Sequence, residues 1–212
     1  MARRERSPGE EFVRVAKGLL AVFCMPIFFL LAMIFTISYN HSTYGDDRVD
    51  DWKWALLFWV LFLVPFIWRV MTVRRRRNEL TSIVSLAKGE HFSPQKGNVI
   101  IDGAHTYFGV DAVRGTMLYV HMTRNGVYDV VGLDMSSWAN VAYNGATLKL
   151  NLKMPELPVI SINAPGGEKV AENLYSVICA MEHRKYEDLD FPGRVSALAS
   201  KSPAGLTLHS FA

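Results

Sequence analysis

The sequence predicts a membrane-anchored α+β protein: a two-helix transmembrane hairpin, then an antiparallel β-sandwich or open barrel of about seven strands with one C-terminal amphipathic helix. Three observations carry this. Gly18–Tyr39 and Trp54–Trp68 are uncharged apolar runs, and roughly 20 apolar residues are what a helix needs to cross a bilayer. From Asn98 the apolar period becomes two, the signature of strands. Glu168–Lys185 returns to a helical period with one apolar stripe, Val170, Leu174, Val177, Ile178 and Met181.

The charge layout orients the hairpin. Residues 1–17 carry five basic and three acidic residues, and 69–77 carry five arginines and no acid. The connection 40–53 holds four aspartates against Arg48 and Lys53. Positive-inside bias therefore puts both termini in the cytoplasm and the acidic connection outside. The spans are read as 18–39 and 52–73. Lys53 and Arg69 snorkel to the two interfaces, Trp52, Trp54 and Trp68 form the aromatic belt, and Arg74, Arg75, Arg76 and Arg77 close the second span. A secretory signal fits the first run less well, because the run exceeds the usual 7–15 residues and no small-x-small cleavage site follows it. Pro26 and Pro65 lie inside the spans, and neither span carries the acid, histidine or amide that an ion or proton relay needs.

The order along the chain follows. Residues 1–17 are a cytoplasmic tail or interfacial helix. Residues 78–97 are a juxtamembrane helix, apolar at Leu80, Ile83, Val84 and Ala87 and stopped by Gly89, followed by a linker. Candidate strands are 99–102, 106–113, 116–123, 127–133, 137–143, 147–153 and 159–163, within a cytoplasmic domain at 98–185. Asn125-Gly126 and Asn144-Gly145 predict type I′ hairpin turns, with Arg114-Gly115 a weaker third. Leu148, Leu150 and Leu152, and likewise Leu118, Val120 and Met122, alternate with polar or amphipathic residues, so each strand is expected to have one buried and one wet face. Residues 186–212 read as a mobile tail whose Val195, Leu198, Leu206, Leu208 and Phe211 have the alternative of docking on the domain or on a partner.

Chemistry finds little footing. The phosphate-loop, dinucleotide, nucleophile-elbow and zinc-protease patterns are absent, as is a Cys-x-x-Cys pair. The six histidines lack ligand spacing, so no metal or cofactor is expected, and Cys24 and Cys179 read as reduced thiols. Among polar residues, His105 with Asp102, and Asp111 and Asp129, are the ones worth testing for catalysis; turn and surface roles explain them more simply. The residues from 78 onward are close to neutral, against the basic surface a nucleic-acid-binding domain needs. The arginine block has three readings: a stop-transfer anchor on anionic head groups, a site for an acidic partner, or a specific lipid site. Trp138 is the one tryptophan outside the membrane segment; with Tyr119 and Tyr128 it is a candidate partner contact, core packing being the competing role.

Two resemblances extend this reading. Seven strands then a helix over about Asn98–Lys185 resembles the pleckstrin-homology-like superfold, without the basic cluster at the first hairpin that head-group binders use. At the level of the whole chain, ERSPGEEFVRVAKGL, the two apolar runs about an acidic loop, and AENLYSVICAMEHRK look like surface exclusion proteins of IncI-type conjugative plasmids. That resemblance implies a non-enzymatic protein of the recipient's bacterial inner membrane, with the lipid bilayer and a donor-encoded conjugative transfer membrane protein as partners. The alternative is an inner-membrane signalling or assembly adaptor with a protein-binding module.

Overall fold

Alternating apolar residues need a second layer to cover them, and the domain's strands find two. In a computed structural model, residues 24–41, 45–89, 91–187, 190–200 and 206–210 are described, with the backbone alone for 45–51. The expected N-terminal helix within 1–17, the start of the first span and Phe211 lie outside these residues. The chain divides between Val73 and Arg74 into two compact units.

The first unit contains α1 (Met25–His41) and the greater part of α2 (Gly45–Ala87). The acidic connection was expected to be a loop; from Gly45 it is already helix. Asp46 and Asp47 fall in the first turn and Asp50 and Asp51 in the second. Helix α1 is 17 residues long, about 26 Å at 1.5 Å per residue. Among the described residues one helix, Trp52–Ala87, is long and apolar enough to cross a membrane.

The second unit holds two sheets. Strands β1 (Val99–Asp102), β2 (Thr106–Asp111), β3 (Thr116–Arg124) and β4 (Val127–Leu133) form an antiparallel meander. Strands β5 (Trp138–Asn144), β6 (Thr147–Leu152) and β7 (Val159–Asn163) form a second one. Helix α3 (Glu168–Glu182) buries Ala171, Leu174, Ile178 and Met181. One apolar cluster joins Phe108, Val110, Met117 and Val131 of the first sheet to Trp138, Leu148, Leu150 and Ile162 of the second and to this helix face.

Three expectations change. The first sheet has no wet face: β2 is buried at all six positions, and β3 at its first five. Its far side is covered by Leu80, Ile83 and Val84 at the end of α2 and by Phe191 and Val195, which meet Tyr107, Leu118, Val120, Tyr128 and Val130. The turns are not type I′ either. Gly126 and Gly145 have φ of 75° and 56°, and among the described non-glycine residues only Asp190 has positive φ. With Asn144 paired to Thr147, Gly145 is the first central residue, the place glycine takes in a type II′ turn. With Arg124 paired to Val127, Gly126 is the second, as in type II.

The third change is the expected mobile tail. It contains α4 (Phe191–Ser200), which buries Phe191, Val195 and Ala199, and β8 (Thr207–Ser210), which adds to β4 in parallel. Spacing of i, i+4 and i+8 is helical, but Phe191-Pro192-Gly193 and the small residues after it read as breakers. Proline at the second position of α4 costs nothing, because the first-turn N–H groups have no partner within the helix. Gly132 of β4 leaves room for the docking: a Cβ there would lie 2.6 Å from Cγ2 of Val195, 2.9 Å from its Cβ and 3.2 Å from the carbonyl oxygen of Phe191.

Candidate interaction surfaces

In the first unit the apolar side chains point outward. Trp52, Trp54 and Trp68 are 53, 49 and 73 % exposed, and Met71 is 64 % exposed. This surface far exceeds the scattered apolar residues water tolerates. Lys53 lies between the first two tryptophans and Arg69 directly follows the third, so the sequence's anchor residues flank an apolar stretch. Inside the unit, α1 meets α2 through aromatic rings: Phe29 with Phe62, Phe35 with Phe58 and Phe35 with Trp54. The pairing runs down α2 as it runs up α1, so the helices are antiparallel. The indole N–H of Trp59 donates to Thr36 Oγ1 at 3.2 Å, and that hydroxyl donates to the carbonyl of Ala32 at 2.6 Å. Two half-buried polar groups are thereby satisfied.

The arginine block opens the second unit, and half of it is engaged by protein. Arg75 pairs with Glu79 at 2.9 Å; with the arginine 84 % exposed, the pair contributes little to stability. Arg76 Nη2 donates to Asn125 Oδ1 at 2.6 Å, at the tip of the β3–β4 turn. Glu79 is the hub, since its second oxygen accepts the Tyr128 hydroxyl at 3.1 Å. Burial, and then the hydrogen bond to the Glu79 carboxylate, push the Tyr128 phenol up to about 12. Two side chains one helical turn apart, Arg76 and Glu79, thus clasp the hairpin that carries the NG turn. Asn125 is legible in the sequence only as a turn residue and Glu79 has no role there, although an acid four residues after Arg75 is a legible signal.

The three residues offered as partner contacts lie in the core. Trp138 is 4 % exposed, Tyr119 9 % and Tyr128 not at all. Trp138 and Tyr119 belong to the cluster between the two sheets, Tyr128 to the one beneath α4. Tyr119 and Tyr128 sit on opposite faces of the first sheet and Trp138 on the second sheet, so no single partner surface brings the three together.

The polar residues considered for catalysis are occupied separately. The Asp111 carboxylate is buried and accepts the amides of Ser93, Val113 and Arg114 and the Arg114 guanidinium, which fixes the β2–β3 turn. Asp129 accepts the Thr123 hydroxyl at 2.8 Å. His105 is exposed; partial burial and the nearby Arg76 charge lower its pKa, against the opposing pull of Asp102. Among the described residues no group of three His, Cys, Asp or Glu side chains converges as a metal site. A cleft of about 200 Å³ between Arg114, Asp134, Ser136, Arg184, Tyr186 and Glu187 is smaller than the range usual for small-molecule sites.

The surface of this protein is thus built for contact, with an apolar belt on one unit and a sheet sealed on both faces in the other. A family model described as exclusion-determining protein matches residues 2–192. The chain belongs to the exclusion-determining protein family. The match spans both compact units, and the family is not one of enzymes. No curated protein and no solved structure matches the chain. Membership in the exclusion-determining family supports a role in plasmid exclusion and gives the belt and the clasp a setting among proteins of conjugation.

Proposed function

We propose that the chain is a surface exclusion factor of the recipient's bacterial inner membrane, where it blocks redundant conjugative transfer by recognising a cognate donor-encoded transfer membrane protein. The observation that carries this is the family match across residues 2–192. The outward-facing apolar side chains of α1 and α2 support an anchor, because a largely exposed apolar stretch from Trp52 is stable in lipid rather than in water. In this reading α1 and the first half of α2 are a two-span hairpin, both termini are cytoplasmic, and Trp52, Lys53, Trp54, Trp68 and Arg69 mark the interfaces. The sheet-rich unit is a pleckstrin-homology-like module: a four-strand meander, a three-strand meander and a helix after them that packs on the second, with α4 and β8 added. Its work is protein recognition rather than catalysis.

The test is a mating assay. Recipients expressing the chain alone take up the cognate plasmid less often than empty recipients and take up an unrelated plasmid equally well. Equal uptake of the cognate plasmid by well-expressing cells refutes the reading. Reporters at the N-terminus and after residue 90 fall on one side of the membrane and a reporter after residue 45 on the other if the hairpin is right; a single span puts the N-terminal reporter on the same side as the one after residue 45.

A further inference from the structure

The end of α2 and the outer side of α4 frame a groove of about 320 Å³ whose floor is apolar and whose rim is basic. Leu86, Phe191 and Leu198 form the floor, and Lys88, His91 and Arg194 the rim. Among the described residues no acidic side chain lines it and none pairs with Lys88 or Arg194. The contrast with the smaller cleft is direct, because there Arg114 and Arg184 face Asp134 and Glu187 and the charges cancel. Leu86 is left 45 % exposed beside the cations. An apolar floor flanked by two cations, Lys88 and Arg194, is complementary to a segment carrying the opposite charge next to an apolar side chain.

We infer that this groove docks an acidic, apolar-bearing segment of a partner protein, the carboxylates meeting Lys88 and Arg194 and an apolar side chain resting on Leu86, Phe191 and Leu198. A bilayer surface is the weaker occupant. Arg74 and Leu86 lie on one helix, 12 residues apart, or about 18 Å at 1.5 Å per residue. Head groups holding the arginine block would act on the groove from more than the ~8 Å over which salt screens charge. The inference rests on the exclusion reading and names the chemistry by which that reading's partner is recognised.

The experiment is charge reversal in the full-length chain, scored in the same mating assay. K88E/R194E, present in the membrane at wild-type level, is expected to lose exclusion by at least about tenfold, since like charges across an interface cost several kcal/mol and 1.4 kcal/mol is a factor of ten. Donor plasmids selected for renewed exclusion by this variant are expected to carry Asp or Glu changed to Lys or Arg in one transfer protein. Unchanged exclusion overturns the inference and leaves the exclusion reading standing. So does lost exclusion with no such donor changes, accompanied by lost binding to phosphatidylglycerol vesicles, because the groove then faces lipid. If the reversed chain fails to accumulate, K88Q/R194Q decides: a loss in the same direction supports the groove and full exclusion overturns it. A wild-type chain that excludes nothing refutes the parent reading, and this inference with it.

Discussion

Replacing Gly132 with alanine tests how the C-terminal helix is held. The new methyl would meet Val195 Cγ2 at 2.6 Å, Val195 Cβ at 2.9 Å and the Phe191 carbonyl oxygen at 3.2 Å. The last contact is backbone and the second is nearly so, so rotating one side chain does not relieve the clash. Either α4 stays and the core is overpacked, at about 1–3 kcal/mol, or it lifts off. Lifting exposes Phe191 and Val195, now 2 and 1 % exposed, at ~1.5–3 kcal/mol each. Strain is the cheaper route, and α4 shifts outward as a unit. Gly132→Ala should therefore lower unfolding stability by about 2 kcal/mol, read as a urea midpoint in micelles, and speed amide exchange across Phe191–Ser200. Val195→Ala alone loses two methyl groups, at roughly 0.8 kcal/mol each. In the double variant the worst clash is gone, so the combined loss should fall short of the sum by about 1 kcal/mol. Additivity, or unchanged exchange in α4, would refute this account of the docking.

Two other outcomes follow from the hydrogen bonds. Tyr128→Phe removes the hydroxyl held by Glu79 and should cost about 1 kcal/mol, below the usual value for a charged acceptor because Glu79 retains access to water; a neutral result would show that the clasp adds nothing. Burial raises the Asp134 pKa, but the hydroxyls of Ser137 and Ser136 and their amides outweigh it, so the carboxyl sits below its ordinary 3.8. A depressed acid contributes stability above its unfolded pKa that is lost as pH falls through the folded value. Ser136→Ala/Ser137→Ala should thus be destabilised at pH 7, and the gap from wild type should close as pH drops below 3.8. A gap that widens in acid would contradict the sign.

The three-leucine alternation of β6 was legible in the sequence because only one face of that strand is covered. The stripe of α3 was legible for the same reason. The meander's second cover was not: Leu118, Val120 and Tyr128 look like an ordinary amphipathic pattern until Leu80, Ile83 and Val84 arrive from dozens of residues away. Breaker residues hid α4, whose Pro192 and Gly193 stand at its first turn, where they do least harm. Partner contacts were sought among the aromatics, yet Trp138, Tyr119 and Tyr128 are what the core needed for volume. The groove draws Lys88 and His91 from one stretch and Arg194 from another about a hundred residues on, and no local pattern announces such a convergence.

The parallel strand β8 has a consequence for how the molecule is made. Val127 pairs with Thr207, so the open side of β4 waits about 80 residues of synthesis for its partner, several seconds at ribosomal speed. Until then Val127–Leu133, an apolar strand with Asp129 as its only charge, presents unpaired backbone of the kind that recruits other chains. Heavy expression would load a cell with such half-finished sheets, so the last residues of the chain protect the sheet from other copies as well as completing it.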